Sequence, residues 1–214
     1  MSTTILLIRH GETSWNAVRR LQGHIDIGLN AEGLRQADAL AGALAREPLA
    51  AVIASDLMRA RQTAQAVAAH HGLTLEIDRE LRERCYGAFE GMLYAQIEQR
   101  YPDEYAAWQA RDIDAVMPPG ERTAESFRQF YARSNAAIGH WAQRYPGQTI
   151  AIVAHGGVLE CAHRAARALA LDTVRDFEIK NASINRFDIS YGKLTLLDWG
   201  DVGHLGDAAI DELS

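Results

Sequence analysis

Only two of the 214 residues are cysteine, Cys85 and Cys161, far apart and in no CxxC pair. Neither a disulfide framework nor a zinc knuckle is indicated. No apolar run approaches the roughly 18 residues of a membrane span. The first apolar stretch has no charged segment ahead of it and meets Arg9 directly after Leu6, Leu7 and Ile8, unlike a secretory leader. The expectation is a cytoplasmic protein without membrane partners. An excess of positive charge is missing too: 22 basic residues face 28 acidic ones, for a net charge of −6. That argues against a general nucleic-acid binder, whose phosphate contacts need a basic face, while leaving room for a small basic pocket. Lysine is reduced to Lys180 and Lys193, so 20 of the 22 basic residues are arginine. Beside abundant alanine this reads as compositional bias. HExxH and GxxxxGK[ST] are both absent, as are internal repeats, low-complexity tracts and linkers.

What is present suits one globular domain over 1–214, with 48% hydrophobic and 23% charged residues. Thr4–Ile8, Ala51–Ala54, Thr74–Ile77 and Ile150–Ala154 read as short strands, the last apolar throughout, as a strand covered on both faces would be. Between them lie helical patterns. Asn30 offers an N-cap for the stripe Leu34, Ala37, Leu40, Ala41, Leu44. Ser55 and Asp56 offer a cap for Leu57, Ala60, Ala64, Val67. Thr123 opens the longest helix, ended by Pro146-Gly147, and Gly156-Gly157 leads into another. Ser183–Ile189 and Leu194–Trp199 read as a closing hairpin. Alternating strands and helices predict a three-layer α/β/α fold, its mainly parallel sheet carrying an antiparallel edge strand. Residues 90–122 are less regular and rich in aromatics, and read as an insertion that decorates a site.

Two histidines occupy matching places: His10 just after the first strand and His155 just after Ile150–Ala154, each followed by glycine. In open parallel sheets ligands bind beyond the carboxyl ends of the strands, so both side chains face one crevice although 145 positions apart. Glycine beside each lets backbone N–H groups approach an anion. Arg59 falls in the first turn of a helix, where the dipole disfavours a cation unless an anion is bound nearby. Glu83 follows the third strand, and alone reads as a surface ion-pair residue. His24 lies near the suspected rim. His70-His71 closes a helix, and Cys85 reads as a small apolar filler.

These residues carry a resemblance. Leu7-Ile8-Arg9-His10-Gly11-Glu12-Thr13-Ser14-Trp15-Asn16 resembles the signature of the histidine phosphatase superfamily, the cofactor-dependent phosphoglycerate mutase-like proteins. Ser55–Thr63 resembles the second block of that family, Glu83 with Tyr86-Gly87 and Glu90-Gly91 the third, and Val153-Ala154-His155-Gly156-Gly157 the fourth. The blocks stand in family order over roughly residues 4–190. The resemblance implies that His10 attacks phosphorus and becomes phosphohistidine. Arg9, Arg59 and a protonated His155 then surround the phosphoryl group, and Glu83 moves the proton at the leaving oxygen. Asn16 and the Gly156 N–H complete the cradle, and Thr13, Gln22 and Gly23 touch substrate. No metal is implied.

Two branches remain open. In the mutases that this chain resembles, Glu-Arg-x-Tyr is followed eight residues after its Tyr by a substrate-binding Lys; here Glu83-Arg84-Cys85-Tyr86 is followed by Tyr94. A downstream pair of adjacent arginines is missing, with only Arg100, Arg111 and Arg122 apart from one another. His155-Gly156-Gly157 and Arg20-Leu21-Gln22-Gly23 look like the phosphatase versions. The expected function is a metal-independent phosphomonoester phosphatase acting on a small phosphorylated metabolite, with no cofactor. The alternative is a phosphoglycerate mutase, an isomerase that would need 2,3-bisphosphoglycerate as primer. An inactive phosphate-binding or interaction module is the remote third. A homodimer is compatible with either enzyme.

Overall fold

The computed structural model describes residues 2–206, so the outermost ends of the 1–214 span read from the sequence lie outside the described residues. Six strands form one sheet: β1 (Thr3–Arg9), β2 (Leu49–Ala54), β3 (Leu75–Ile77), β4 (Thr149–Ala154), β5 (Ile184–Ser190) and β6 (Lys193–Asp201). Their order is β3-β2-β4-β1-β5-β6. β3, β2, β4 and β1 run parallel; β5 is antiparallel to β1, and β6 to β5.

Seven α-helices accompany the sheet among the described residues: α1 (Ser14–Ala17), α2 (Ala31–Leu44), α3 (Met58–His71), α4 (Tyr94–Arg100), α5 (Pro102–Gln109), α6 (Phe127–Arg144) and α7 (Gly156–Arg167). Successive strand residues point to opposite faces, and β1 shows how the two helical layers use this. Ile5 and Leu7 pack with α6 and α7 through Phe130, Ile138, Trp141 and Val158. Leu6 and Ile8 pack with α2 and α3 through Leu40, Leu44, Ala60 and Val67. Because both faces of the central strands are covered, their sequences are continuous apolar runs rather than alternating ones.

Three local expectations change. The longest helix is capped by Ser126, not Thr123: the Ser126 hydroxyl accepts the Gln129 amide and the Gln129 side chain accepts the Ser126 amide, a capping box. Thr123 cannot serve because the chain behind it runs against another loop, the Glu125 amide donating to the Cys85 carbonyl at 3.0 Å. The α3 N-cap is Leu57, which has no capping side chain. Asp26, distant in sequence, accepts the Met58 amide at 2.6 Å, while Asp56 is held by Arg82 at 2.6 and 2.7 Å. Residues 90–122 contain α4 and α5, and Ile97 and Met117 from this stretch join Leu21, Phe89 and Ala124 in a separate small core.

Candidate active site

β1 and β4 are neighbours in parallel register with Arg9 opposite Ala154. One residue further on, the His10 amide donates to the Ala154 carbonyl at 3.0 Å. His10 and His155 therefore leave the sheet side by side. Their ring centroids lie 5.2 Å apart, edge to face. The His10 carbonyl is held by the Asn181 side chain at 2.9 Å and the Ala182 amide at 3.3 Å. Arg9 reaches the same stretch, donating to the Ile179 carbonyl at 2.6 Å. The segment entering β5 thus fixes both residues of the Arg9-His10 pair.

The orientation of the His10 ring follows from one contact. Nδ1 lies 2.7 Å from the Gly11 carbonyl, which can only accept, so Nδ1 carries a proton. In the neutral ring this leaves a lone pair on Nε2. Burial, then the charges of Arg59 and Arg9, hold the His10 pKa well below the usual imidazole range, against the pull of the Gly11 carbonyl. His155 is also held well below it, by burial first and by Arg59 next. Neither nitrogen of its buried ring has a hydrogen-bond partner in the protein. The resemblance implies a protonated His155; burial and the charge of Arg59 oppose that state unless an anion lies beside the ring.

Arg59 is 1% exposed. It donates to the Gly23 and Ile25 carbonyls at 2.8 and 3.0 Å, tying the loop that carries Gln22 to α3. Burial pulls its pKa down to about 10, with Glu83 opposing, so it stays charged at neutral pH. Glu83 accepts two backbone amides, Arg84 at 2.7 Å on Oε1 and Gly157 at 3.1 Å on Oε2. A cavity of about 310 Å³ has Arg9, His10, Arg59, Glu83, Asn16, Gln22 and Gly23 on its wall.

Thr13, Gly156 and His155 lie behind that wall. Thr13 is fully buried and caps α1: its amide and hydroxyl both reach Asn16 Oδ1, at 3.0 and 2.9 Å, fixing the side chain that faces the cavity. Of the two glycines that open α7, the one on the wall is Gly157, not Gly156. A Cβ there would stand 2.3 Å from Glu83 Oε1 and 2.7 Å from Phe130 Cε1, so glycine is what lets α7 begin this close to the carboxylate. His24 lies off the wall. Its Nε2 donates to the Glu83 carbonyl at 2.7 Å, steadying that residue from behind. Cys85 is buried, and burial pushes its thiol up to about 11.

The sequence assigns no role to two supports, although Glu90 stands in the third block of the resemblance. Glu90 accepts the amides of His24 at 2.9 Å and Tyr86 at 3.1 Å, joining the loops of Gln22 and Glu83. Arg133 of α6 donates to the carbonyls of Glu80, Arg82 and Glu83. Among the described residues no group of three or more His, Cys, Asp or Glu is spaced to hold a metal, and no helix is long and apolar enough to cross a membrane.

The family model described as histidine phosphatase superfamily (branch 1) matches residues 5–202. Phosphoglycerate mutase-like protein 4 of Arabidopsis thaliana is 39% identical over 94% of this chain and 86% of its own. A metal-independent phosphoserine phosphatase of the same plant is 36% identical over 95% and 83%. The solved structure of Bacillus stearothermophilus YhfR superposes with a TM-score of 0.86 at 32% identity, covering 95% of this chain and 99% of that one.

Proposed function

The chain belongs to the histidine phosphatase superfamily, and from that premise we propose that it hydrolyses the phosphomonoester of a small metabolite through a phosphohistidine on His10. The observation that carries the reading is the orientation of His10: Nδ1–H is spent on the Gly11 carbonyl, leaving the Nε2 lone pair beside Arg9 and Arg59.

In the first step Nε2 attacks phosphorus in line with the ester oxygen. The P–O bond breaks, its electron pair stays with the alcohol oxygen, and a proton from the Glu83 carboxyl neutralises it. Arg9 and Arg59 balance charge on the equatorial oxygens. His155 gains a proton as the anion arrives, since an opposite charge favours its charged form. In the second step water attacks phosphorus and gives a proton to the Glu83 carboxylate. The P–N bond breaks and its electron pair returns to Nε2, releasing inorganic phosphate. The amides of Arg84 and Gly157 hold Glu83 in one orientation through both steps. Asn16, Gln22 and Gly23 contact the bound ester, and Thr13 orients Asn16.

Tyr94 on the cavity wall, where the resembling mutases carry a lysine, favours hydrolysis over isomerisation. The relative named as a metal-independent phosphoserine phosphatase agrees with this branch. The test supplies 3-phosphoglycerate with catalytic 2,3-bisphosphoglycerate and follows 2-phosphoglycerate and free phosphate, beside a panel of phosphomonoesters. Phosphate release from at least one ester with negligible isomerisation is expected. Isomerisation far faster than any phosphate release would place the chain in the mutase branch.

A further inference from the structure

Beyond the groups around phosphorus, the cavity wall changes character. α4 and α5 present Tyr94 and Trp108 stacked with ring centroids 5.6 Å apart and planes 15° from parallel. Trp108 also meets Tyr86 at 5.5 Å, and Tyr105 and Phe89 brace it from behind at 6.1 and 5.9 Å. Trp15 and Phe127 add ring surface elsewhere on the wall. A platform braced this way keeps its ring surface with little rotamer freedom left to lose on binding.

Most cations of the same region already have partners within the chain. Arg111 is paired with Glu160, which Arg164 also holds at 2.8 Å. Arg84 donates to the Glu125 and Ala115 carbonyls at 2.9 and 3.2 Å and lies over the Tyr86 ring. Arg20 donates to the Gly91 carbonyl at 2.6 Å and lies over Trp15. Arg175 has interactions of its own within the chain. Arg19 is exposed to solvent, where water and salt screen it. A second anionic end on the substrate would have to compete with the Glu160 carboxylate for Arg111 and with backbone carbonyls for the hydrogen-bond geometry of Arg84 and Arg20, whereas an apolar ring would meet a surface already built for it.

Resting on the phosphatase reading, we infer that the specific substrates are phosphomonoesters whose alcohol carries a planar, uncharged group, and that Tyr94 and Trp108 select them over phosphorylated carboxylates. The test compares 2-phenylethyl phosphate, O-phosphoserine and 3-phosphoglycerate on the full chain. All three lose an aliphatic alcohol, so differences in kcat/KM report chiefly on recognition. A preference of at least tenfold for 2-phenylethyl phosphate is expected. Trp108→Ala should erase most of that preference, chiefly through KM. Tyr94→Lys, a milder change near the start of α4, should lower the ratio of 2-phenylethyl phosphate to 3-phosphoglycerate by at least tenfold. A wild-type preference for either carboxylate, or a ratio unmoved by Tyr94→Lys, overturns the assignment while leaving the phosphatase reading intact. Absence of release from all three esters, beside release from another phosphomonoester, overturns the assignment alone; absence of release from every ester tried overturns both.

Discussion

Arg133 grips both carboxylate oxygens of Glu125, Nε at 2.8 Å and Nη2 at 2.7 Å, while its remaining donors reach the carbonyls of Glu80, Arg82 and Glu83. Glu125 in turn accepts the Cys85 amide at 3.0 Å. One planar guanidinium thus links the longest helix to the loop that carries Glu83. Arg133→Lys keeps the charge but not the fork. It should lower stability by about 2 kcal/mol in denaturant unfolding and reduce kcat roughly tenfold. Inhibition by inorganic phosphate should barely change, because Arg9, His10 and Arg59 are untouched. A parallel weakening of phosphate binding would show that Arg133 acts more widely than on Glu83.

His10→Ala should abolish turnover, by at least roughly 10³-fold, with the fold kept. Wild-type enzyme quenched during turnover should carry phosphate that survives alkali and is released by acid, as a phosphoramidate is; the variant should carry none. Full activity in the variant would refute covalent catalysis at this residue.

Gly157→Ala places a methyl group against Glu83 Oε1 and the Phe130 ring. Helix propensity favours alanine near the start of α7, but the methyl also presses on the buried Phe130 ring, so stability should fall by about 1–3 kcal/mol with the fold kept. Displacing the carboxylate should lower kcat by about 10²-fold, the low end of what a positioned acid contributes. Steady-state kinetics alongside thermal unfolding separates the two effects, and a folded variant with unchanged kcat would remove Glu83 from the reaction.

His163 lies stacked on Phe177 with centroids 3.7 Å apart and edge-on to Trp199 at 4.6 Å. Burial first, then Arg167, pulls its pKa down to about 4. Between pH 6.5 and that value the unfolded chain binds the proton and the folded chain does not. Stability is therefore full above about 6.5 and falls as pH drops, by up to roughly 3 kcal/mol from this group. His163→Phe should flatten the fall of Tm between pH 6.5 and 4. An unchanged slope would assign the acid sensitivity to other histidines.

Phosphoryl transfer on the scheme above needs no divalent cation, since Arg9 and Arg59 already supply positive charge. Activity should survive EDTA, and vanadate, which takes up the five-coordinate geometry of the transition state, should inhibit in the low micromolar range or below. Loss of activity on chelation, restored by Mg²⁺ or Zn²⁺, would require a metal in the mechanism.

The sequence by itself determined the sheet and the strand ends. Apolar runs such as Ile150–Ala154 can exist only where both faces of a strand are covered, and the rule that ligands sit beyond parallel strand ends then brings His10 and His155 to one crevice. Their Nε2 and Nδ1 roles, the choice of Gly157 over Gly156 on the wall and the retreat of Thr13 to a capping role were decided by tertiary structure. The first and last rest on the local contacts His10–Gly11 and Thr13–Asn16, whose geometry is set by how β1 leaves the sheet. Gly157 is chosen by its approach to Glu83, 74 positions away, which linear spacing does not encode. The same holds for Ser126 replacing Thr123 as a cap, because Glu125 is claimed by Cys85 from forty positions away. Arg133, one arginine among twenty, carries no local pattern at all. Its role arises only where α6 crosses the Glu83 loop, and there five donors meet acceptors that no other residue reaches together.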